Sequence, residues 1–178
     1  MNVVGIDLSL NSISSAKKNE NHNLQFSVHD MREVYKEIHF DIVTNLFTSF
    51  GYFENKDDEQ KAINAMAGNL KSDGVLIIDF MNIKKVIANL VPSEKKIIDN
   101  ITFNIKRSVQ NNHIIKDIEI IDGNETRYFQ EKVKAITLAD FSAFVNAVGL
   151  NIIDIFGNYK LDDFDATISD RLILICKK

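Results

Sequence analysis

The sequence predicts an α/β domain: a mainly parallel sheet with helices on both faces, an antiparallel closing strand and an antiparallel β insertion. Three observations carry this reading. As far as Phe80, short apolar runs alternate with helical patterns, the order that builds parallel sheets. From Pro92 the texture changes, with Ile101, Phe103 and Ile105 alternating with Thr102, Asn104 and Lys106, the period of a half-exposed antiparallel strand. After a last helix come two closing strands, Leu150 to Phe156 and Arg171 to Cys176, joined by an acidic connection.

Taken in order, Val3 to Ile6 is a β-branched run ending at Asp7, the pattern of a strand covered on both faces. Ser9 and the stretch Ser12 to Lys18 start a helix behind it. Leu24 to Val28 is the next strand, ending at His29-Asp30-Met31, and Phe40 to Leu46 is the third. Asp57 to Leu70 reads as a helix with Ile63, Met66, Ala67 and Leu70 on one face, stopped by Ser72-Asp73-Gly74, and Val75 to Phe80 is the fourth strand. In the insertion, roughly Pro92 to Ile136, Asp122-Gly123 suits a hairpin turn. Thr137 and Asp140 form a capping-box-like start for the helix that ends at Gly149.

The chain has 178 residues, the length of one domain with a substantial core, residues 1–178. A formal net charge of −4 and a pI near 5.6 argue against a general nucleic-acid binder, which needs a basic patch to replace phosphate counterions. The single cysteine, Cys176, permits no internal disulfide and suits a reducing cytoplasm. No stretch is apolar and long enough for a membrane span. His22, His29, His39 and His113 show no metal-ligand spacing, and Asp162-Asp163-Phe164-Asp165 lacks the regular spacing of a calcium loop, so no metal is assigned.

In an open parallel sheet ligands bind beyond the carboxyl ends of the strands. Asp7, Asp30, Asn45 and Asp79 fall at or near such ends and so gather on one edge. A strand ending in a carboxylate just before a helix is what a nucleotide-type cofactor uses to hold its ribose diol, since one carboxylate accepts from both hydroxyls. The seven glycines, however, never fall close enough together to make the glycine-rich turn that usually accompanies it.

Val3-Val-Gly-Ile-Asp7-Leu-Ser9, His29-Asp-Met31, Phe40-Asp-Ile-Val-Thr-Asn-Leu-Phe-Thr-Ser-Phe-Gly-Tyr-Phe53 and Gly74-Val-Leu-Ile-Ile-Asp-Phe80 resemble, in that order, the class I S-adenosylmethionine-dependent methyltransferases from their second strand onward. The resemblance runs over essentially the whole chain and implies a Rossmann-like fold with S-adenosylmethionine as cofactor. It implies that Asp7 takes the ribose hydroxyls, Leu8 packs on the adenine, Asp30 accepts from the adenine amino group and the Met31 amide donates to the ring. The segment from Asn45 to Tyr52 would border the sulfonium and the methyl acceptor, and the insertion would cover the acceptor side. Phe47 and Tyr52 are then candidates for an acceptor wall, and Arg107, Arg127 and Tyr128, on the inserted strands, candidates to face an anionic acceptor. The lack of an added nucleic-acid domain favours a small-molecule acceptor; no general base stands out.

The sequence departs from the family in the acidic, glycine-rich first motif, so the expectation is impaired cofactor binding. The alternative is a non-catalytic remnant or interaction module. A nicotinamide-dependent oxidoreductase would share the ribose-binding acid but would not explain Asp30-Met31 or Phe47 to Phe53. In the family a strand lies between the equivalents of Val3–Ile6 and Ile42–Leu46. Without it the two apolar strands face a gap, to be closed by direct pairing, by a second copy in a homodimer, or by residues outside this sequence; the homodimer is the expectation put first.

Overall fold

The computed structural model describes residues 1–55 and 57–178. The first unit is β1 (Val3–Asp7), α1 (Leu10–Ala16) continued by a 3-10 turn (Lys17–Asn19), and β2 (Leu24–Val28), which pairs parallel to β1. Ser9 caps α1 by accepting from the Ser12 amide at 3.2 Å.

The second unit is a four-stranded sheet in the order β3-β4-β10-β9. β3 (Phe40–Asn45) runs parallel to β4 (Leu70–Met81); β10 (Arg171–Lys177) lies antiparallel between β4 and β9 (Asn151–Phe156). On this sheet pack α2 (Asp58–Asn69) and α4 (Leu138–Ala147), and α3 (Ile83–Ala88) follows β4. Thr137 and Asp140 close the capping box expected at α4, at 2.8 and 3.2 Å. The core comprises Phe50, Ile63, Leu76, Ile78, Phe80, Phe141, Val145 and Leu174, all fully buried. Val75–Met81 of β4 and Leu172–Cys176 of β10 supply its floor because both are near-continuous apolar runs with little exposure on either face.

The third unit is the insertion, an antiparallel sheet in the order β5-β6-β7-β8: Ser93–Ile98, Ile101–Gln110, His113–Asp122 and Glu125–Lys134. Its two-residue turns Asp99-Asn100 and Asn111-Asn112 both take positive φ, which Asn and Asp tolerate best after glycine. The expected turn at Asp122-Gly123 is shifted by one residue, with Asp122 still paired to Glu125.

Three expectations change. Ser72-Asp73-Gly74 does not end a helix: α2 stops at Asn69, and β4 begins at once with Leu70. The ladder with β3 then jumps from Phe40↔Leu70 to Ile42↔Val75, so residues 71–74 bulge outward. The helix α3 was not anticipated. Nor is β1 covered on both faces, for Val3 is 39% and Ile6 38% exposed. Only one edge of β1 is laddered, and among the described residues no ladder joins β1 to β3, so direct closure of the expected gap does not occur.

The first unit is instead held by the segment after β2. The Ile38 and His39 amides donate to the carbonyls of Gly68 and Asn69 at 3.0 Å, and the Asn69 side chain accepts from the Tyr35 and Lys36 amides at 2.9 and 2.8 Å. Gly68 permits this approach, since a Cβ there would meet a Val34 methyl at 2.9 Å.

Candidate functional site

Asp7, Asp30-Met31, Asn45 and Asp79 stand at or just past the carboxyl ends of β1, β2, β3 and β4, but their side chains have different occupations. Asp7 accepts from the Ser9 amide at 2.6 Å through one oxygen only and is exposed, so its other oxygen is open to a ligand. Leu8 beside it is exposed. Met31 and Asn45 meet across the space between the two parallel units, the Asn45 amide group donating to Met31 Sδ at 3.8 Å. Asn45 is buried and its Oδ1 has no partner among the described residues. A buried acceptor without a donor is costly, by about 1–3 kcal/mol, which suits a ligand donor arriving at that point.

Asp30 is already engaged. Arg32 donates to both of its oxygens, from Nε at 3.0 and 3.1 Å and from the terminal nitrogen at 2.6 Å, and its amide adds a bond at 2.9 Å. The other end of Arg32 reaches Asp58 at 2.6 Å, in the first turn of α2. A carboxylate has lone pairs to spare, so an added donor at Asp30 would share it with Arg32.

Lys61 and Arg32 hold the buried Asp58 carboxyl at about 2, below its ordinary 3.8, and Arg32 likewise holds Asp30 down. A depressed carboxyl stabilises the fold above its unfolded-state value, and that stability is lost as pH falls from about 3.8 through about 2. The melting-temperature gap between the wild type and Asp58→Asn should therefore be wide near neutrality and close toward pH 2; a gap independent of pH would refute the linkage. Next to Asp58, the buried Glu59 pairs with Lys134 at the end of β8 at 2.8 Å and leaves Oε2 without a partner among the described residues.

Asp79 turns inward. One oxygen accepts from Arg171 Nε at 2.7 Å; the other accepts from the Phe47 amide at 2.8 Å and the Tyr159 hydroxyl at 2.9 Å. Partial desolvation of its oxygen, together with the bond to the Asp79 carboxylate, pushes the Tyr159 hydroxyl above its ordinary value, although the ring itself is largely exposed. The Asp79 carbonyl accepts from the Thr48 amide at 3.0 Å, and Arg171 donates to Thr48 Oγ1 at 3.1 Å. Phe47 and Thr48 both have positive φ, 56° and 62°.

Beyond this turn lies a cavity of 670 Å³ between the strand ends and the inserted sheet. Phe47, Thr48, Tyr52 and Met81 line the side of the α/β body, while Arg107, Lys116 and Glu131 form one cross-strand row on the side of the insertion. Each cation at the cavity has an acid: Arg107 with Glu94 at 2.9 Å, Lys116 with Glu131 at 3.0 Å and Lys85 with Asp170 at 2.6 Å. Gly51, at φ 88°, turns the loop so that its carbonyl accepts from the Lys134 amide at 2.8 Å, tying the insertion to the cavity wall. A smaller cavity of 410 Å³, at Asp41 and Lys71–Gly74, lies at the other end of β4.

Of the residues anticipated on the acceptor side, Phe47, Tyr52 and Arg107 line the cavity. Tyr128 does not. It pairs with Glu119, one residue out of phase with the Lys116 row, so it stands on the opposite sheet face, 73% exposed and bonded to Glu119 at 2.9 Å. Arg127 is exposed and pairs with Glu125. Sequence reasoning missed Arg32, Asp58, Glu59, Tyr159 and Arg171; only the position of Arg32, right after Asp30-Met31, carried a signal. Among the described residues no group of His, Cys, Asp and Glu is arranged to hold a metal, and no helix is long and apolar enough to cross a membrane. Burial pushes the Cys176 thiol up to about 12.

The family model described as a methyltransferase domain matches residues 1–74. No curated protein matches the chain by sequence. Among solved structures, an S-adenosylmethionine-dependent methyltransferase from Clostridium acetobutylicum superposes with a TM-score of 0.84 at 20% identity, covering 99% of this chain and 75% of its own. The CcbJ methyltransferase from Streptomyces caelestis gives 0.82 at 13% identity, covering 99% and 74%. CalS10 from Micromonospora echinaspora, an amino pentose methyltransferase solved with S-adenosylmethionine bound, gives 0.72 at 17% identity, covering 99% and 73%.

Proposed function

We propose, from the premise that this chain is a class I S-adenosylmethionine-dependent methyltransferase domain in fold and, over residues 1–74, in sequence, that it binds S-adenosylmethionine at the carboxyl ends of β1–β3 and passes its methyl group to a small molecule. The observation that carries this reading is the open edge itself: an exposed carboxylate at Asp7 and a buried, donorless oxygen at Asn45, beside a cavity large enough for a second ligand. Asp7 would hold the ribose hydroxyls, Leu8 would pack on the adenine, the Met31 amide would donate to its ring, and Asp30 would accept from its amino group while keeping Arg32. The cofactor supplies an electrophilic methyl group. The protein's part is to align the acceptor behind Phe47 and Tyr52 and to exclude water.

The acceptor fits in the cavity under the insertion, residues 92–136. Phe47, Tyr52 and Met81 on one side and Ile114 and Val133 on the other give it a partly apolar lining, and its cations are paired, which supports a compact, uncharged acceptor over a polymer. The amino pentose acceptor named for CalS10 falls in this size class.

Residues 1–178 contain no glycine-rich turn, so the backbone donors that would grip the methionine half are missing from them. Two or three such contacts at about 1 kcal/mol each make binding by these residues roughly a hundredfold weaker than with that turn. Calorimetric titration with S-adenosylmethionine should give one site per chain with a dissociation constant above micromolar. Heat absent even at millimolar ligand would overturn the cofactor reading in favour of a non-catalytic interaction module. A constant tighter than micromolar would overturn the weakness alone.

The free edges of β1 and β3, with Val3, Ile6, Ile42 and Leu46 part exposed, support a homodimer in which a second copy covers them. Sedimentation at micromolar concentration should give twice the mass of the chain; a compact monomer that stays monomeric would refute it.

A further inference from the structure

We propose that Asp79 is a positioning residue for the transfer just proposed: it does not touch ligand but fixes the left-handed Phe47–Thr48 turn that stands between the cofactor ends of the strands and the acceptor cavity. The inference rests on that functional reading and adds a residue to it.

The turn needs an external hold. Two successive non-glycine residues with positive φ are costly, and such strain persists only where the surroundings over-determine it. Phe47 is nevertheless 75% exposed, so packing does not hold it. Polar bonds do: the Ser49 amide and hydroxyl close the turn on the Leu46 carbonyl at 3.2 and 2.7 Å, and the bonds that tie it to the rest of the domain converge on Asp79, which is 1% exposed. Its carboxylate takes the Phe47 amide and its carbonyl takes the Thr48 amide, so both strained residues are tied to one anchor. Arg171 binds the other carboxylate oxygen and reaches on to Thr48 Oγ1, while Tyr159 binds the same oxygen as Phe47 and sets its ring edge-on to Phe47 at 6.4 Å. A charged acceptor suits this cluster, because every group facing it is a donor. An amide at position 79 could still satisfy Arg171 with its oxygen, and Tyr159 could turn to accept, but the Phe47 amide would then face an NH2.

The consequence is functional because Phe47 and Thr48 line the acceptor cavity and follow Asn45, the buried orphan at the cofactor edge, by two and three positions. With the turn released, the ring at the mouth of the cavity would no longer be held toward either ligand.

The test is amide-resolved NMR of the full chain and of Asp79→Asn, free and with S-adenosylhomocysteine as probe. In the free variant, exchange at Phe47 and Thr48 should quicken at least tenfold while the Val75–Ile78 amides keep their protection, a split that a general loss of structure would not give. With probe, the shifts at Asp7, Leu8 and Met31 should survive and those at Asn45–Thr48 should be lost. Unchanged exchange at Phe47, or unchanged probe shifts at Asn45–Thr48, overturns the proposal. Should Asp79→Asn fail to fold, Tyr159→Phe removes one donor from an exposed residue and should speed Phe47 exchange several-fold; no change there also overturns it. If the wild type shows no probe shifts at any amide, it is the functional reading that fails, and the exchange arm still decides whether Asp79 holds the turn.

Discussion

Asp7→Ala should weaken S-adenosylmethionine binding ten- to a hundredfold. Asp7 closes β1, spends one oxygen on the Ser9 amide that opens α1, and offers the other to solvent. Bonds from hydroxyls to a charged acceptor are worth about 1.5–3 kcal/mol, the whole of the expected loss. The Ser9 bond would be lost as well, but Ser9 still caps α1 with its own hydroxyl, so the helix should survive. Calorimetry on the wild type and the variant decides it: equal constants would remove Asp7 from the site. Asp30→Ala makes a useful contrast, because Arg32 would be left with Asp58 alone and the variant should lose stability along with affinity.

The largest effect on stability should come from Phe141→Ala, at about 3–5 kcal/mol. Phe141 is fully buried on α4, with its ring 5.4 Å from Phe50 and 5.2 Å from Phe80. It therefore joins α4, β4 and the loop after β3, and emptying its place leaves a cavity that neither the β4 floor nor the α2 wall can collapse to fill. Urea denaturation would show a lowered midpoint with little change in slope. A loss under about 1 kcal/mol would mean that the cluster is not the keystone of the core.

What the sequence made legible was what local chemistry controls. Leu24–Val28 is a strand in both readings, and the capping pair Thr137 and Asp140 marks the start of α4 because the signal lies within one helical turn. The strand ends that carry Asp7, Asp30, Asn45 and Asp79 were likewise readable from where apolar runs stop. The use made of those carboxylates was not. Asp30 is claimed by Arg32, itself anchored on Asp58 26 positions away, and Asp79 is claimed by Tyr159 and Arg171, 80 and 92 positions away. No spacing rule reaches that far. Tyr128 failed for a different reason: on a two-residue period the choice of face depends on register, and the register follows from the turns at Asn111-Asn112 and Gly123. The exposure of Val3 and Ile6 escaped because a β-branched run shows how apolar a strand is, and not how many neighbours it will have.

The position of β10 has a consequence for the order in which its sheet can be completed. It follows every other strand of its sheet in sequence, yet it sits inside that sheet, with β4 on one side and β9 on the other. Until Arg171–Lys177 dock, a nascent chain carries an open β4 edge and a core without its Leu172 and Leu174 layer. The same seven residues bring the guanidinium of Arg171 to Asp79 and Thr48. Completion of the sheet and fixing of the turn at Phe47 are thus one event that waits for Arg171–Lys177, and a product broken off before Arg171 forfeits both at once.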